Sequence, residues 1–460
     1  MDGQTGDAER LVAAARDGDA EAVRALVEAG ADPDARTEDG LPVLCAAVAA
    51  YDAETARALV AGGANPDREL PDGTTPLCRA IDGGSPAVFD ATLGQEPRLR
   101  LPQTARERLL ARARRWHEAG AEAELRRVTG SSAPARTAHV MDDDETLVRQ
   151  VTLAGRTVRD GHSAILTALE WAFRVLTPVD ELVARAVADP GADRDHIGAG
   201  WWAAKWVLNE RRSRETFSAV ATYRRHPDRA HRRFAVDVLW SVSVFRWSHR
   251  NSYEKETVEL LSDWALEEPD ADVLTQILNT LNHLDHPGHE ELGLRFAGHA
   301  HPSVRAEAAY ALIDDETPVT TAARAALLGL TGDPDAVVRA AAGDVLAQKH
   351  DLSDEVTGAL LALVADRDGD VRRRAAAALA TGRDRSPAAA AALWALLDED
   401  DPSLRLEGAF GLARRDDPRT EEAYRRVGTL VGPEFEHDHR PTELLHHRWR
   451  MADRSANAET

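Results

Sequence analysis

Residues with the capacity for binding chemistry concentrate between positions 205 and 250. This segment holds eleven Lys and Arg residues against four Asp and Glu residues, a local charge of +7 in a chain whose formal net charge is −22. Five of the ten tryptophans lie at positions 201, 202, 206, 240 and 247. Arg binds carboxylates and phosphates through paired hydrogen bonds, and Trp stacks on cations and aromatic groups. The composition therefore predicts a binding surface in this segment.

The candidate binding residues are those whose types suit such recognition. They are Trp202, Trp206, Arg211, Arg212, Arg232, Arg233, Asp237, Trp240, Arg246 and Trp247. A purely structural interpretation stays open beside this one. Trp side chains can fill the core between helices, and basic side chains can form a solvated face or dock against an acidic part of the same chain.

Three of these candidates could also form a catalytic group. Arg233, Asp237 and Trp240 stand at i, i+4 and i+7, on one face of a helix. The sequence has no Gly-rich phosphate-binding loop, no dinucleotide-binding fingerprint and no Gly-x-Ser-x-Gly nucleophile elbow. Histidines cluster at 283–301 and 437–447, but neither group includes a Cys, which zinc sites often use. We therefore predict no catalytic residue, no metal site and no cofactor.

The N-terminal part of the chain, which must help to position these residues, repeats itself every 33 residues. Leucines keep this step at positions 11, 44, 77 and 110, and residues 30–34 (Gly-Ala-Asp-Pro-Asp) recur at 63–67 (Gly-Ala-Asn-Pro-Asp). Residues 75–80 (Thr-Pro-Leu-Cys-Arg-Ala) resemble the opening of an ankyrin repeat. The resemblance implies stacked helix pairs with degenerate first and last copies. Pro76 would then begin a helix, and Gly30 and Gly63 would each follow the end of one.

A second period, of 33 or 34 residues, runs through the C-terminal half. Its anchors are arginines in the first turn of Ala-rich helices, at Arg305, Arg339, Arg372 and Arg405, with weaker copies upstream near 270, 228 and 195. This pattern resembles HEAT repeats, in particular the short bacterial type found in HEAT-like bilin lyases. We expect the four arginines to serve the scaffold by pairing with an Asp of the neighbouring repeat.

Together the two repeat systems predict an all-α tandem-repeat solenoid. We place ankyrin-like repeats at 1–129, an acidic, Ser- and Pro-containing linker at 130–145, a HEAT-like solenoid at 146–432 and a polar, His-rich tail at 433–460. An insertion of about eight residues is expected within 240–256, because the repeat step lengthens there. Cys45 and Cys78 occupy matching positions of adjacent repeats, too far apart for a disulfide, so we expect reduced thiols.

Composition limits the classes of partner. A net charge of −22 opposes binding along nucleic acid or an anionic membrane, because both are polyanions. No stretch reaches the apolar length that spans a bilayer. The chain has three lysines among its 56 basic residues, which we interpret as the codon bias of a GC-rich bacterial genome. We expect a cytoplasmic bacterial protein, and the sequence leaves its oligomeric state undetermined.

The sequence thus favours a non-catalytic scaffold or adaptor that binds another protein or peptide, for which an acidic partner would suit the Arg- and Trp-rich surface. The alternative is an enzyme or nucleic-acid-modifying protein on the HEAT fold, since HEAT-like DNA glycosylases are similar in using Trp, Asp and Arg in a basic groove. That alternative predicts that Asp237 lies in a cleft on which Trp and several Arg side chains converge.

Overall fold

The computed structural model describes residues 2–144, 146–188, 198–244, 253–284, 288–313, 319–348, 353–432, 435 and 437–458. The chain divides into two compact units, Met1–Asn251 and Ser252–Thr460, and each is described by itself below. Arg246, Trp247 and most of the predicted insertion lie outside the described residues. No helix in the described part of the chain combines the length and apolar character needed to cross a membrane.

Short helices packed in pairs form the first part of the first unit. Side chains cap the N-termini of four of these helices; Asp52, for example, accepts from the backbone N–H of Thr55. Pro76 is the first helical residue of its helix, and Gly30 and Gly63 follow helix ends with φ of 101°, as the sequence predicted. These helices are α1 (Asp2–Asp17), α2 (Ala20–Glu28), α3 (Val43–Ala50), α4 (Ala53–Ala61), α5 (Pro76–Gly83), α6 (Pro86–Leu93), α7 (Pro97–Arg100), α8 (Gln103–Ala119) and α9 (Ala121–Thr129).

A three-stranded antiparallel sheet follows, in the order β1 (Arg136–Met141), β2 (Leu147–Leu153) and β3 (Arg156–Arg159). Val151, Leu153 and Val158 are buried against the preceding helices, and Val148 is buried in a separate cluster with Ala164 and Ala199. The structure therefore corrects the predicted linker at 130–145, since residues 136–141 form a strand. Residues 147–153 and 156–159, which the sequence analysis assigned to the solenoid, are strands, and the next helix begins at His162.

The first unit ends in two rows of helices. The row formed by α10 (His162–Ala172), α12 (Ala199–Arg211) and α14 (Arg229–Val244) packs side by side, and α11 (Val179–Val187) and α13 (Arg214–Ala221) lie between its members in sequence. A 3-10 turn, Thr222–Arg225, connects α13 to α14. The weak repeat anchor near 228 thus precedes the start of α14, as expected, and the anchor near 195 lies outside the described residues.

The second unit repeats this two-row plan with greater regularity. The four strong anchors each fall in the first turn of a helix: α18 begins at Pro302, α20 at Ala336, α22 at Gly369 and α24 at Pro402. The helices are α15 (Glu254–Glu267), α16 (Ala271–Asn282), α17 (His289–Phe296), α18 (Pro302–Ala311), α19 (Thr321–Leu330), α20 (Ala336–Gln348), α21 (Asp354–Val364), α22 (Gly369–Thr381), α23 (Pro387–Ala395), α24 (Pro402–Ala413), α25 (Thr420–Val427) and α26 (Arg440–Ala458), with a 3-10 turn at Leu396–Asp398.

The predicted arginine ladder is confirmed for two of its four members. Arg305 pairs with Asp333 and Arg339 with Asp366, each at 2.7 Å and each across to the next repeat. Arg372 and Arg405 donate instead to backbone carbonyls, those of Asp366 and Glu399 among them. The four side chains thus act within the scaffold, as expected.

The segment predicted as a polar tail contains the helix α26. Its Leu444 is buried in the core of the last repeats, and Arg448 pairs with Glu421 at 2.8 Å. The tail is therefore helical over Arg440–Ala458 and packs against the last repeats through Leu444 and Arg448. Cys45 and Cys78, in the first unit, are both free thiols, as predicted.

Candidate binding groove

A groove of about 500 Å³ opens in the first unit between α6, α10 and α12. Trp171, Trp202 and Trp206 line it together with Asp90 and Asp143, and we call these five residues and the space they enclose the tryptophan groove. The exposed fraction is 38% for Trp202 and 59% for Trp206, large values for residues of this size. The groove therefore presents aromatic surface to solvent.

Helical spacing explains how the sequence builds this space. Trp202 and Trp206 are four residues apart, so they project from the same face of α12. Opposite them, α10 contributes three alanines at the same four-residue step, Ala164, Ala168 and Ala172. Large side chains on one helix facing small ones on the other leave an open volume between two helices that otherwise pack closely.

The acidic end of the groove is built by the turn between β1 and β2. Asp142 ties this turn to α6, since one carboxylate oxygen accepts from the backbone N–H of Ala87 at 2.8 Å and the other from Arg159 at 2.6 Å. Asp143 accepts from the backbone N–H of Thr146 at 2.6 Å and lines the groove. The acidic run noted in the sequence thus has a structural role and supplies one groove residue.

Asp90, on α6, completes the acidic end. Although its side chain reaches solvent, the apolar groove walls limit its hydration, and this raises the pKa of Asp90 to about 6. Arg57 opposes the rise, and the negative charges of Asp142 and Asp143 add to it. The surroundings of Asp90 therefore offset the negative charge of its carboxylate only weakly.

Asp237, the acidic member of the predicted site, belongs to a different cluster, between α12 and α14. Its carboxylate accepts from Trp201 Nε1 and from Lys205 Nζ, both at 2.7 Å, and these are its hydrogen-bond partners in the described part of the chain. Lys205 Nζ also lies 4.7 Å from the ring centroid of Trp202 and 5.3 Å from that of Trp240. The cluster joins two helices of the scaffold.

The four predicted arginines that the structure describes do not converge on one site. Arg233 lies over the ring of Trp201, with its Cζ 5.6 Å from the ring centroid. Arg211 donates to the carbonyl of Thr177 at 2.6 Å, and the burial of this guanidinium lowers the pKa of Arg211. Arg212 is exposed at the end of α12, in the left-handed conformation with φ of 45°, and lies 3.7 Å from Glu210.

Arg232 behaves as a member of the arginine ladder. It is buried, and its Nη1 donates to the carbonyls of His226 and Pro227, six and five residues earlier. Arg305 makes the same pair of bonds, to His299 and Ala300. Of the eight predicted site residues that the structure describes, two, Trp202 and Trp206, therefore line the tryptophan groove.

Sequence reasoning missed three residues of the groove. Trp171 was not selected because it lies outside the basic segment, and Asp143 was assigned to a linker. Asp90 carries no local signal, since it reaches the groove only because α6 packs beside α10. The sheet leaves only a short signal in the sequence: Val151 and Leu153 alternate with Thr152 before the turn Ala154-Gly155, whose φ angles of 51° and 76° suit a two-residue hairpin.

A second cavity, of about 690 Å³, lies along α3, α5, α8 and α9 and is more polar. Its charged residues pair with each other: Arg112 bonds Asp82 at 2.7 Å, and Arg127 bonds Glu124 at 2.7 Å. Among the described residues, no group of three or more His, Cys, Asp or Glu side chains is arranged to hold a metal ion. The tryptophan groove is therefore the stronger candidate for a binding site.

Comparison with known proteins identifies the two repeat types. Ankyrin repeats, in three copies, match residues 11–96, and HEAT repeats match residues 258–347 and 323–413. No curated protein matches the chain. Among solved structures, the X-ray structure of YibA from Escherichia coli, a structural-genomics target, is similar at 15% identity over 59% of this chain and 92% of that chain, with a TM-score of 0.43. The chain thus combines ankyrin and HEAT repeats, as its sequence predicted, and the sheet and α10–α14 lie between the two matched regions.

Proposed function

We propose that this chain, an ankyrin-repeat and HEAT-repeat protein, is a non-catalytic binding scaffold whose first unit takes an apolar segment of another protein into the tryptophan groove. Ankyrin and HEAT repeats are generally protein-interaction motifs, which supports the class of function. The main observation in favour of this binding site is that Trp206 is 59% exposed in a groove of about 500 Å³. Grooves of this volume suit a few bulky side chains, and Trp is enriched among residues that dominate binding energy.

The groove favours a different partner from the one that the sequence suggested. An acidic partner was expected because of the basic candidates, but Arg211 and Arg232 donate to backbone carbonyls and Arg233 lies over Trp201. A catalytic or DNA-glycosylase-like function has no specific observation in its favour, since the Asp237 carboxylate is held by Trp201 and Lys205. A bacterial, cytoplasmic setting remains part of the proposal and rests on composition.

A peptide selection tests this function directly. A phage-displayed library of random 15-residue peptides is selected on the full chain, and the enriched peptides are then measured against two variants. Trp206→Ala removes the exposed groove residue, whereas Trp449→Ala removes a tryptophan of equal exposure, 59%, on α26 of the second unit.

We expect the enriched peptides to bind the wild type and Trp449→Ala alike and to bind Trp206→Ala at least tenfold more weakly, because truncation of a central aromatic residue typically costs about 2 kcal/mol or more. Peptides that bind Trp206→Ala as tightly as the wild type would contradict the proposal. So would a selection that enriches no peptide.

A further inference from the structure

Resting on the proposed function, we infer that the tryptophan groove selects a segment in which an apolar anchor stands beside a Lys or Arg side chain, with the cation received at the Asp90 and Asp143 end. The partner is thus a protein that offers a basic, apolar segment. The sequence had suggested the opposite charge.

The charges of the groove support this choice. Among its described lining residues, the two charged ones, Asp90 and Asp143, are both acidic and lie on neighbouring elements, α6 and the β1–β2 turn. The remaining lining residues of α10 and α12 are alanines, tryptophans, Ile165 and Val207. An anionic segment would bring like charges together at this end of the groove, which is electrostatically unfavourable.

The aromatic rings of the groove already accept cations from the chain itself. The guanidinium of Arg174 lies 5.1 Å from the ring centroid of Trp171, and Lys205 Nζ lies 4.7 Å from that of Trp202. The charge of Lys205 is compensated by Asp237 at 2.7 Å. Trp206 is the most exposed of the three rings and has the surface to receive an incoming cation or anchor.

The protonation of Asp90 should make the affinity of the groove for a cation depend on pH. Desolvation raises the pKa of Asp90 to about 6, so the carboxyl is mostly ionised at pH 7.5 and about nine-tenths protonated at pH 5. The charged groups that face it are Arg57 on α4 and Asp142 and Asp143 at the β1–β2 turn. A bound cation favours the ionised form, so its affinity should rise with pH across this window.

Three small probes of nearly equal apolar bulk isolate the effect of charge. They are 4-phenylbutylamine, 4-phenylbutanol and 4-phenylbutyrate, which are cationic, neutral and anionic at pH 7.5. Each is titrated into the full chain labelled with ¹⁵N in the tryptophan indoles. Resonances are assigned by single substitutions, and binding is followed at Trp206 with Trp449 as the internal reference.

We expect the amine to shift the Trp206 indole signal with an affinity at least tenfold higher than that of the butyrate, with the alcohol between them. Its affinity should fall by up to about tenfold from pH 7.5 to pH 5. Asp90→Asn should weaken amine binding at pH 7.5 and remove most of the pH dependence. The matched variant Asp144→Asn, which removes an exposed charge near the groove but outside its lining, should preserve both.

The outcomes separate this inference from the proposed function. If none of the probes shifts Trp206, the groove itself is refuted as a binding site. If the three probes bind equally, or the butyrate binds best, the groove stands and the cation inference is overturned. Equal effects of Asp90→Asn and Asp144→Asn would also overturn it, because the preference would then reflect the net charge of the chain.

Discussion

A single arginine can join two repeats when its guanidinium reaches both the next repeat and its own loop. Arg339 is buried; its Nε and Nη2 donate to Asp366 at 2.8 and 2.7 Å, and its Nη1 donates to the carbonyls of Asp333 and Pro334. The hydrogen bond from Arg339 is the main cause that lowers the pKa of Asp366. The side chain therefore stabilises the stack through charge and geometry together.

At this scale we predict that Arg339→Ala lowers the free energy of unfolding by about 3 kcal/mol, because Asp366 loses its guanidinium partner and the carbonyl of Asp333 loses the donor Arg339. Urea denaturation of the full chain, followed by far-ultraviolet circular dichroism, measures the change. Arg383→Ala, at an exposed arginine between α22 and α23, is the control and should change stability by less than about 0.5 kcal/mol. Equal losses in the two variants would show that the ladder contributes no more than a surface charge.

The same pair has a pH dependence with a defined sign. Because the folded pKa of Asp366 is lowered, the pair stabilises the fold above the unfolded value of about 3.9, and that contribution is lost as pH falls through the lower folded value. The stability gap between wild type and Arg339→Ala should therefore narrow below about pH 4. A gap that widens on acidification would contradict this account of the pair.

At the scale of elements, the end of α5 meets β3 and α10 at a close approach of backbones. Gly84 has φ of 71°, its carbonyl accepts from the N–H of Gly161 at 2.9 Å, and a Cβ added to it would collide with the carbonyl of Arg159. His162 contacts the carbonyl of Ile81 at 3.0 Å beside this point. Gly84 thus lies where the ankyrin repeats meet the sheet and the following helices of the first unit. The backbones approach so closely there that no side chain fits at this position.

We predict that Gly84→Ala lowers the free energy of unfolding by about 3 kcal/mol or more, because it adds a steric collision to an unfavourable backbone conformation. Gly40→Ala is the matched control, since Gly40 has a similar φ of 76° but open space around it. It should cost only about 1 kcal/mol, the backbone penalty alone. Thermal unfolding of both variants measures the difference, and losses of equal size would show that the close approach is not a structural constraint.

The sequence predicted the elements whose signals repeat. The helix starts at Pro302 and Gly369, and the role of Pro76, followed from patterns seen several times in the chain. The sheet was missed because it occurs once and its alternation is short. Arg232 was selected as a binding residue although it occupies a ladder position, since its repeat is too degenerate for the register to be recognised in sequence.

At the scale of the whole molecule, the matched repeats and most of the proposed tryptophan groove lie in different parts of the sequence. The matched ankyrin and HEAT repeats cover 11–96 and 258–413, whereas Asp143, Trp171, Trp202 and Trp206 of the tryptophan groove lie between them. The sequence placed its binding candidates within part of this region, between 201 and 247. The sequence could not predict which residues line the groove, because Asp90 and Trp206 come together only through the packing of α6, α10 and α12.

Hydrogen–deuterium exchange of the full chain, with and without a peptide selected on it, tests the central claim most directly. We expect the peptide to slow exchange in His162–Ala172 and Ala199–Arg211, the two helices that carry the groove tryptophans, because binding there restrains their opening. The exchange rates of proteolytic fragments that cover α18 to α24, in the second unit, should be unchanged. Slowed exchange confined to those helices, with α10 and α12 unaffected, would contradict the assignment of binding to the tryptophan groove.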